Sequence, residues 1–146
     1  MRTIIITVLM LLQLFLVGCS KSIEFTELGL ASDCDVAKNT CKVSHDRTDI
    51  SMALGKDVIP LKPFDAVVTI DGIKVEPGSV IADFQMQGMD MGVNRYRMVG
   101  DSGMWSGKIT LPVCTASRMD WTAIVEFTSS DGQRFRARFL FETAIP

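Results

Sequence analysis

Met89 and Met91, separated by a single residue, are the side chains whose type and spacing are most suited to binding chemistry. Gly88 and Gly92 flank the pair, which indicates a loop or a break in a strand. In an extended segment, residues two apart project to the same side, so both thioethers would point together and Asp90 would point away. Thioether sulfur is a soft ligand that suits copper(I), and it also packs well as a flexible apolar group. The pair is therefore either a copper(I) site or an adaptable apolar contact.

A third ligand for such a site could come from one of two positions. Met104 lies in the neighbouring hairpin, and Cys114 could contribute a thiolate if it is unpaired. Met86 is not a candidate, because the alternation of apolar and polar residues over 80–86 assigns it to the core. The single histidine, His45, is remote from the methionines, so the usual imidazole partner of a copper site is absent from this cluster.

The N-terminus contains the clearest targeting signal. Arg2 precedes an apolar run over 4–17 that is too short to span a membrane comfortably and ends in Leu16-Val17-Gly18-Cys19. This closely resembles the bacterial lipoprotein signal, which implies cleavage before Cys19, a diacylglyceryl thioether on its sulfur and acylation, such as palmitate, on the new amine. Two or more acyl chains give stable anchoring. We expect a membrane-anchored protein facing the periplasm, at the inner or the outer membrane.

The domain organisation follows from this signal. Residues 1–18 are the signal peptide, 19–33 read as a lipidated tether because they are polar and small, and 34–146 form one domain. The chain has 15 basic and 17 acidic side chains, and this mild acidity argues against binding nucleic acid.

Three cysteines remain after Cys19 is lipidated. Export to an oxidising compartment favours one disulfide, and proximity makes Cys34 and Cys41 the default pair, although either could instead pair with Cys114. His45 could also complete a Cys/Cys/His metal site, but the spacing matches no common zinc pattern.

Short apolar segments separated by turn residues predict an all-β fold. About seven strands and no convincing helix favour an immunoglobulin-like β-sandwich. The last hairpin is the best determined: two apolar stripes must share one face, which requires a three-residue loop over 130–132. That register places Glu126 opposite Arg136 on the outer face. The arginines at 134, 136 and 138 then form a solvated face or, alternatively, a patch for lipid headgroups or an acidic partner.

The motifs of the common enzyme classes are missing. The sequence contains no GxSxG, no P-loop and no dinucleotide-binding fingerprint, and its carboxylates are scattered. We therefore predict that the protein is not an enzyme.

Several segments carry a resemblance to known proteins. Cys34-x6-Cys41, GMDMGVNRY (88–96), WSGKITLPVC (105–114) and RMDW (118–121), together with the lipoprotein signal, resemble a group of small bacterial envelope lipoproteins. Members of that group are often found beside Sco-type copper chaperones of cytochrome oxidase assembly. The chain is also similar, more weakly, to the methionine-rich copper sandwich proteins of the periplasm, from which it departs by lacking histidines near its methionines. The resemblance implies a copper or oxidase-assembly context.

Two hypotheses follow. The first is a lipid-anchored accessory protein that binds copper(I) through Met89 and Met91, with Met104 or Cys114 as a further ligand and a copper chaperone or oxidase-assembly protein as its partner. The second is a structural or interaction lipoprotein without a metal, whose methionine loop is an apolar contact surface.

Overall fold

The computed structural model describes residues 24–113 and 118–144, and all the regular structure in these ranges is β. Ten strands follow one another: β1 (Thr26–Asp35), β2 (Cys41–His45), β3 (Thr48–Leu54), β4 (Phe64–Asp71), β5 (Ile81–Met86), β6 (Arg95–Arg97), β7 (Val99–Asp101), β8 (Met104–Ile109), β9 (Asp120–Thr128) and β10 (Arg134–Glu142). They form two five-stranded sheets. The first has the order β1-β10-β9-β5-β6, and the second has the order β2-β3-β4-β8-β7.

The strand order confirms the predicted immunoglobulin-like sandwich. β3-β4-β8-β7 in one sheet and β10-β9-β5 in the other correspond to the A-B-E-D and G-F-C strands of that architecture. The structure has more strands than the seven or so expected, because β1, β2 and the short β6 are added at the sheet edges.

The folded domain begins earlier than the sequence suggested. The stretch 19–33 was expected to be a tether, yet β1 starts at Thr26 and pairs in parallel with β10. β1 is an edge strand in which only Leu28 is buried, so it lacks the apolar alternation that identifies a strand in the sequence. The boundary predicted at residue 34 is corrected to Thr26.

The core lies between the two sheets and is rich in aromatic side chains. The core cluster extends from Leu28 to Phe141, so the chain from residue 20 onward contains all of it and is expected to fold on its own. The largest fully buried side chains include Trp121, Phe84, Phe127 and Phe139. Phe84 contacts Phe64 and Phe141 edge-to-face, with ring centroids 6.4 and 6.0 Å apart, which links the two sheets.

The last hairpin has the register that the sequence predicted. Phe127 pairs with Phe135, and Glu126 pairs with Arg136. Ser129 donates its amide to the Gln133 carbonyl, which leaves three loop residues. Gly132 has a φ of 86°, in the left-handed region where such a loop needs glycine.

The sandwich has two distinct ends. We call the end at which β1 begins, which includes the β9–β10 loop, the proximal end. The opposite end, at which β5 finishes at Met86 and β10 finishes at Glu142, is the distal end. Nine residues of β10 join the two, a span of roughly 30 Å at the usual strand rise.

Candidate functional site

The methionine pair lies in a loop at the distal end, between β5 and β6. The chain leaves β5 through a tight turn in which the Met89 amide donates to the Met86 carbonyl oxygen, 3.4 Å away. Gly88 occupies the third position of this turn with a φ of 73°, the conformation that a type II turn requires there. We call residues 88–94 the methionine loop.

Two polar side chains hold the methionine loop in place. The Asp90 carboxylate accepts a hydrogen bond from the Gly92 amide at 2.9 Å, a local Asx turn. Asn94 donates its side-chain amide to the carbonyl oxygens of Met91, at 3.2 Å, and Gly92, at 3.4 Å. The main-chain carbonyl oxygen of Asn94 accepts a hydrogen bond from the main-chain amide of Phe84, so the buried Asn94 connects the loop to β5. The loop therefore has a defined shape.

Met89 and Met91 are half-buried and pack against the core from its rim. The other methionines of this region differ: Met86 and Met98 are sealed in the core, at 4% and 1% exposure, which confirms the assignment of Met86. Val93, between the pair and Asn94, is 87% exposed. The loop thus presents two thioethers and one aliphatic side chain at the surface.

Met104 lies at the other end of the molecule. It begins β8, where it pairs with Thr69 and Asp101 in the second sheet. The preceding turn at 100–103 borders the same cleft as residues 70–77, which lead to the start of β5. The methionine loop follows the end of β5, so Met104 is separated from it by the length of that six-residue strand, roughly 20 Å. Met89 and Met91 thus share the methionine loop at the distal end, and Met104 is remote from both.

The cysteines divide into a bonded pair and two that lie outside the described residues. Cys34 and Cys41 form a disulfide with their Cα atoms 5.7 Å apart. It joins β1 of the first sheet to β2 of the second at the distal end. Because both thiols are used, the alternative Cys/Cys/His site with His45 is not formed. Cys19 and Cys114 lie outside the described residues.

An arginine–aspartate pair that the sequence pattern did not predict as part of a site adjoins the methionine loop. Arg118 contacts Asp120 through two hydrogen bonds of 2.9 and 2.5 Å. Hydrogen bonding to Arg118 lowers the pKa of Asp120 below its usual value, against a smaller opposing effect of burial. A Cβ at Gly88 would lie 3.7 Å from the Arg118 guanidinium, so the pair is next to the loop. The RMDW segment was the available signal.

A cleft of about 400 Å³ opens beside these residues at the distal end. Its lining includes the disulfide residue Cys34, the acidic residues Asp35 and Asp120, and Gln87 of the turn before the loop. Trp121 forms part of the floor, and its indole nitrogen has no hydrogen-bond partner among the described residues. The cleft is a concave, mixed polar and aromatic surface next to the methionine loop.

No family model, curated protein or solved structure matches the chain. Within 24–113 and 118–144, no three His, Cys, Asp or Glu side chains cluster in a way that could hold a metal ion. In the same ranges no helix is long and apolar enough to cross a membrane.

A charged network covers the outer face of the first sheet. Glu126 is only 6% exposed and lies between Arg95, at 2.7 Å, and Arg136, at 2.8 Å. Arg95 also contacts Asp83 at 3.2 Å, and hydrogen bonding to Glu126 raises the pKa of Arg95. The sequence predicted only the Glu126–Arg136 pair, because Arg95 reaches Glu126 through the pairing of β6, β5 and β9. Glu27 extends the network to Arg136 and Arg138.

Proposed function

We propose that this protein is a lipid-anchored accessory protein of the bacterial envelope whose methionine loop binds copper(I). The observation that carries the proposal is the contrast among the methionines. Met52 and Met98 are at most 1% exposed in the core, whereas Met89 and Met91 are kept at the rim by a loop with its own hydrogen bonds. Asp90 and Asn94 set the shape of the loop, so both methionines have a defined position at the surface.

Two thioethers form an incomplete ligand set for copper(I), and this suits a protein that exchanges the metal. A partner such as a copper chaperone could supply the remaining ligand and withdraw it again. Cys114 stays a candidate third ligand. Arg118, which follows it in the chain, adjoins the methionine loop. Three residues lie between Cys114 and Arg118, so the chain connecting them spans at most about 14 Å.

The position of the loop relative to the proposed anchor also supports a role in exchange. Lipidation of Cys19 would tether the domain by its proximal end, because Cys19 precedes β1 in the chain. The methionine loop is at the distal end. The two thioethers would then face the periplasm, where a soluble copper donor or the exposed domain of an oxidase-assembly protein can reach them.

The second candidate function is protein interaction without a metal. The exposure of Val93 favours it, since an isolated aliphatic side chain beside two half-buried methionines makes an apolar contact surface. The neighbouring cleft of about 400 Å³ would enlarge that surface.

Titration of the domain from residue 20 onward with copper(I), against a competing chelator, tests the proposal. The test variant is Met89→Leu/Met91→Leu, which keeps side-chain volume and removes both sulfur atoms. The matched control is Met104→Leu, which removes one exposed thioether from the opposite end. We expect the test variant to lose at least tenfold in affinity, a loss of about 1.4 kcal/mol or more, and the control to bind like the wild type.

Equal copper(I) affinity in all three proteins would remove the metal hypothesis. The interaction function would then be supported if the Leu variant bound a copper chaperone or assembly protein and if replacing Val93 with Asp abolished that binding. The leucine variant keeps the apolar surface, so it separates the two functions.

A further inference from the structure

A second concave site lies on the outer face of the first sheet, at the proximal end. This cleft of about 290 Å³ lies where β1, β5, β6 and the β9–β10 hairpin approach one another. Its lining includes Phe25, the arginines at 95, 97 and 134, and a single carboxylate, Glu126. We call it the arginine cleft. Positive charge dominates the lining, although the chain as a whole is mildly acidic.

The carboxylate of Glu126 does not offset the other arginines. Its Oε2 atom accepts from Arg95 at 2.7 Å, and its Oε1 atom accepts from two nitrogens of Arg136, at 3.0 and 2.8 Å. Glu126 is thus engaged by two guanidinium groups that hold it against the sheet. The positive charge of Arg97 and Arg134 is left for a ligand.

Arg97 and Arg134 have donors to offer. Arg97 donates one hydrogen bond to the Gly78 carbonyl oxygen, and its other guanidinium nitrogens have no partner within the described ranges. The Arg134 side chain is exposed and makes no hydrogen bond or ion pair with any described residue. A guanidinium group binds phosphate oxygens through two parallel hydrogen bonds, which makes an arginine pair suited to a phosphate group.

The arginine cleft contains only one of the three arginines, at 134, 136 and 138, that the sequence suggested as a patch. Arg136 and Arg138 both contact the carboxylate of Glu27, at 3.3 and 3.0 Å, so they are engaged by protein acids. Only Arg134 of that series faces the cleft, where it is joined by Arg97 of β6. The sequence alone does not bring these two together, because they lie on strands far apart in the chain.

The length of chain before the domain indicates what occupies the cleft. Phe25 lines it, and the Arg136 guanidinium lies 4.1 Å above the Phe25 ring, which fixes where the chain joins the domain. Cys19 is six residues earlier, so the sulfur that would carry the lipid is at most about 20 Å of extended chain away. An anchor at Cys19 would hold this cleft against the headgroup layer.

We propose that the arginine cleft binds the phosphate of an anionic lipid headgroup in the membrane that anchors the chain. The contact would orient the domain with its proximal end on the membrane and the methionine loop pointing away from it. This inference rests on the proposed anchoring at Cys19 and is independent of copper binding.

Vesicle co-sedimentation of the unlipidated domain from residue 20 onward tests the inference. The vesicles are phosphatidylcholine alone or phosphatidylcholine mixed with phosphatidylglycerol. The test variant is Arg97→Gln/Arg134→Gln, and Arg134→Gln alone avoids any effect on the Arg97–Gly78 contact. The matched control is Lys56→Gln/Lys62→Gln, which removes the same charge from an exposed connection leading to the distal end.

We expect the wild type and the lysine control to bind the phosphatidylglycerol vesicles alike and to ignore phosphatidylcholine. The double arginine variant should bind at least tenfold more weakly and the single variant about fivefold, because each basic residue near an anionic surface contributes a factor of about five. Equal loss in the lysine control, or no binding by the wild type, would overturn the inference. If equimolar inorganic phosphate inhibited binding to the vesicles, the ligand of the arginine cleft would be a free phosphate anion rather than a lipid headgroup. None of these results depends on the copper titration.

Discussion

The side-chain amide of Asn94 donates a hydrogen bond to the main-chain carbonyl oxygen of Met91, 3.2 Å away. Asn94 is buried at the end of the methionine loop, immediately before β6, whereas Met91 lies at the rim. One polar side chain thus fixes the path of the segment that carries both half-exposed thioethers.

Replacing Asn94 with Ala should loosen the methionine loop. The loss of two side-chain hydrogen bonds to loop carbonyls should lower the free energy of unfolding by about 1 to 2 kcal/mol. If the loop binds copper(I), the affinity should fall as well, because its ligands must be ordered on binding. Denaturant unfolding and amide hydrogen exchange over 88–94 measure these effects. Asn39→Ala, at an exposed turn, is the control, and equal exchange in both variants would contradict the assigned role.

The Glu126 carboxylate should contribute measurable stability. Glu126→Gln keeps the shape of the side chain but removes the charge that faces Arg95 and Arg136. We expect the free energy of unfolding to fall by about 1 to 3 kcal/mol, less than for a fully buried pair because Arg95 remains in contact with water. Urea unfolding provides the measurement. Asp65→Asn, which breaks an exposed pair with Lys108, should change little, and a similar effect in both variants would argue against the network.

Acid should weaken the contact between Arg118 and Asp120. The pKa of Asp120 is lower in the folded chain than in the unfolded chain, so its charge stabilises the fold above the unfolded pKa, about 3.9. That contribution is lost as the pH falls through the lower, folded pKa. The difference in unfolding free energy between wild type and Asp120→Asn should therefore shrink from pH 7 to acid conditions. A constant difference across a series of urea titrations would show that the ion pair does not stabilise the fold.

Reduction of the disulfide should destabilise the domain without abolishing the sandwich. Cys34 and Cys41 are seven residues apart, and closing so short a loop is worth about 2 to 3 kcal/mol by the chain-entropy relation. Thermal unfolding with and without a reductant measures the shift. The oxidised, unfolded domain from residue 20 onward should contain one free thiol, Cys114. Three free thiols, or a midpoint unaffected by reductant, would contradict the pairing.

Sequence patterns predicted the features that depend on local alternation. The apolar stripes of the last hairpin required one register, and the pairing of Glu126 with Arg136 followed from it. Met86 could be assigned to the core for the same reason. The Cys34–Cys41 disulfide was the default because the two residues are close in sequence.

The sequence pattern could not predict features that depend on which strands become neighbours in the sheets. Met104 is near Met98 in the chain, but the chain changes sheets between β6 and β7, so β8 begins at the proximal end. Arg95 reaches Glu126 only because β5 pairs with both β6 and β9. The sequence pattern did not predict β1, because an edge strand buries few side chains and shows little apolar periodicity.

The parallel pairing of β1 with β10 has a mechanical consequence. A pull on the residues before Phe25 loads the hydrogen bonds between these strands along the strand axis, in shear and simultaneously, rather than peeling them one at a time. If β1 detached, the disulfide at Cys34 would stop the detachment after nine residues. These residues correspond to roughly 30 Å of extended chain. If the chain is anchored through Cys19, a pulling force would therefore lengthen the connection to the membrane before it could separate the two sheets.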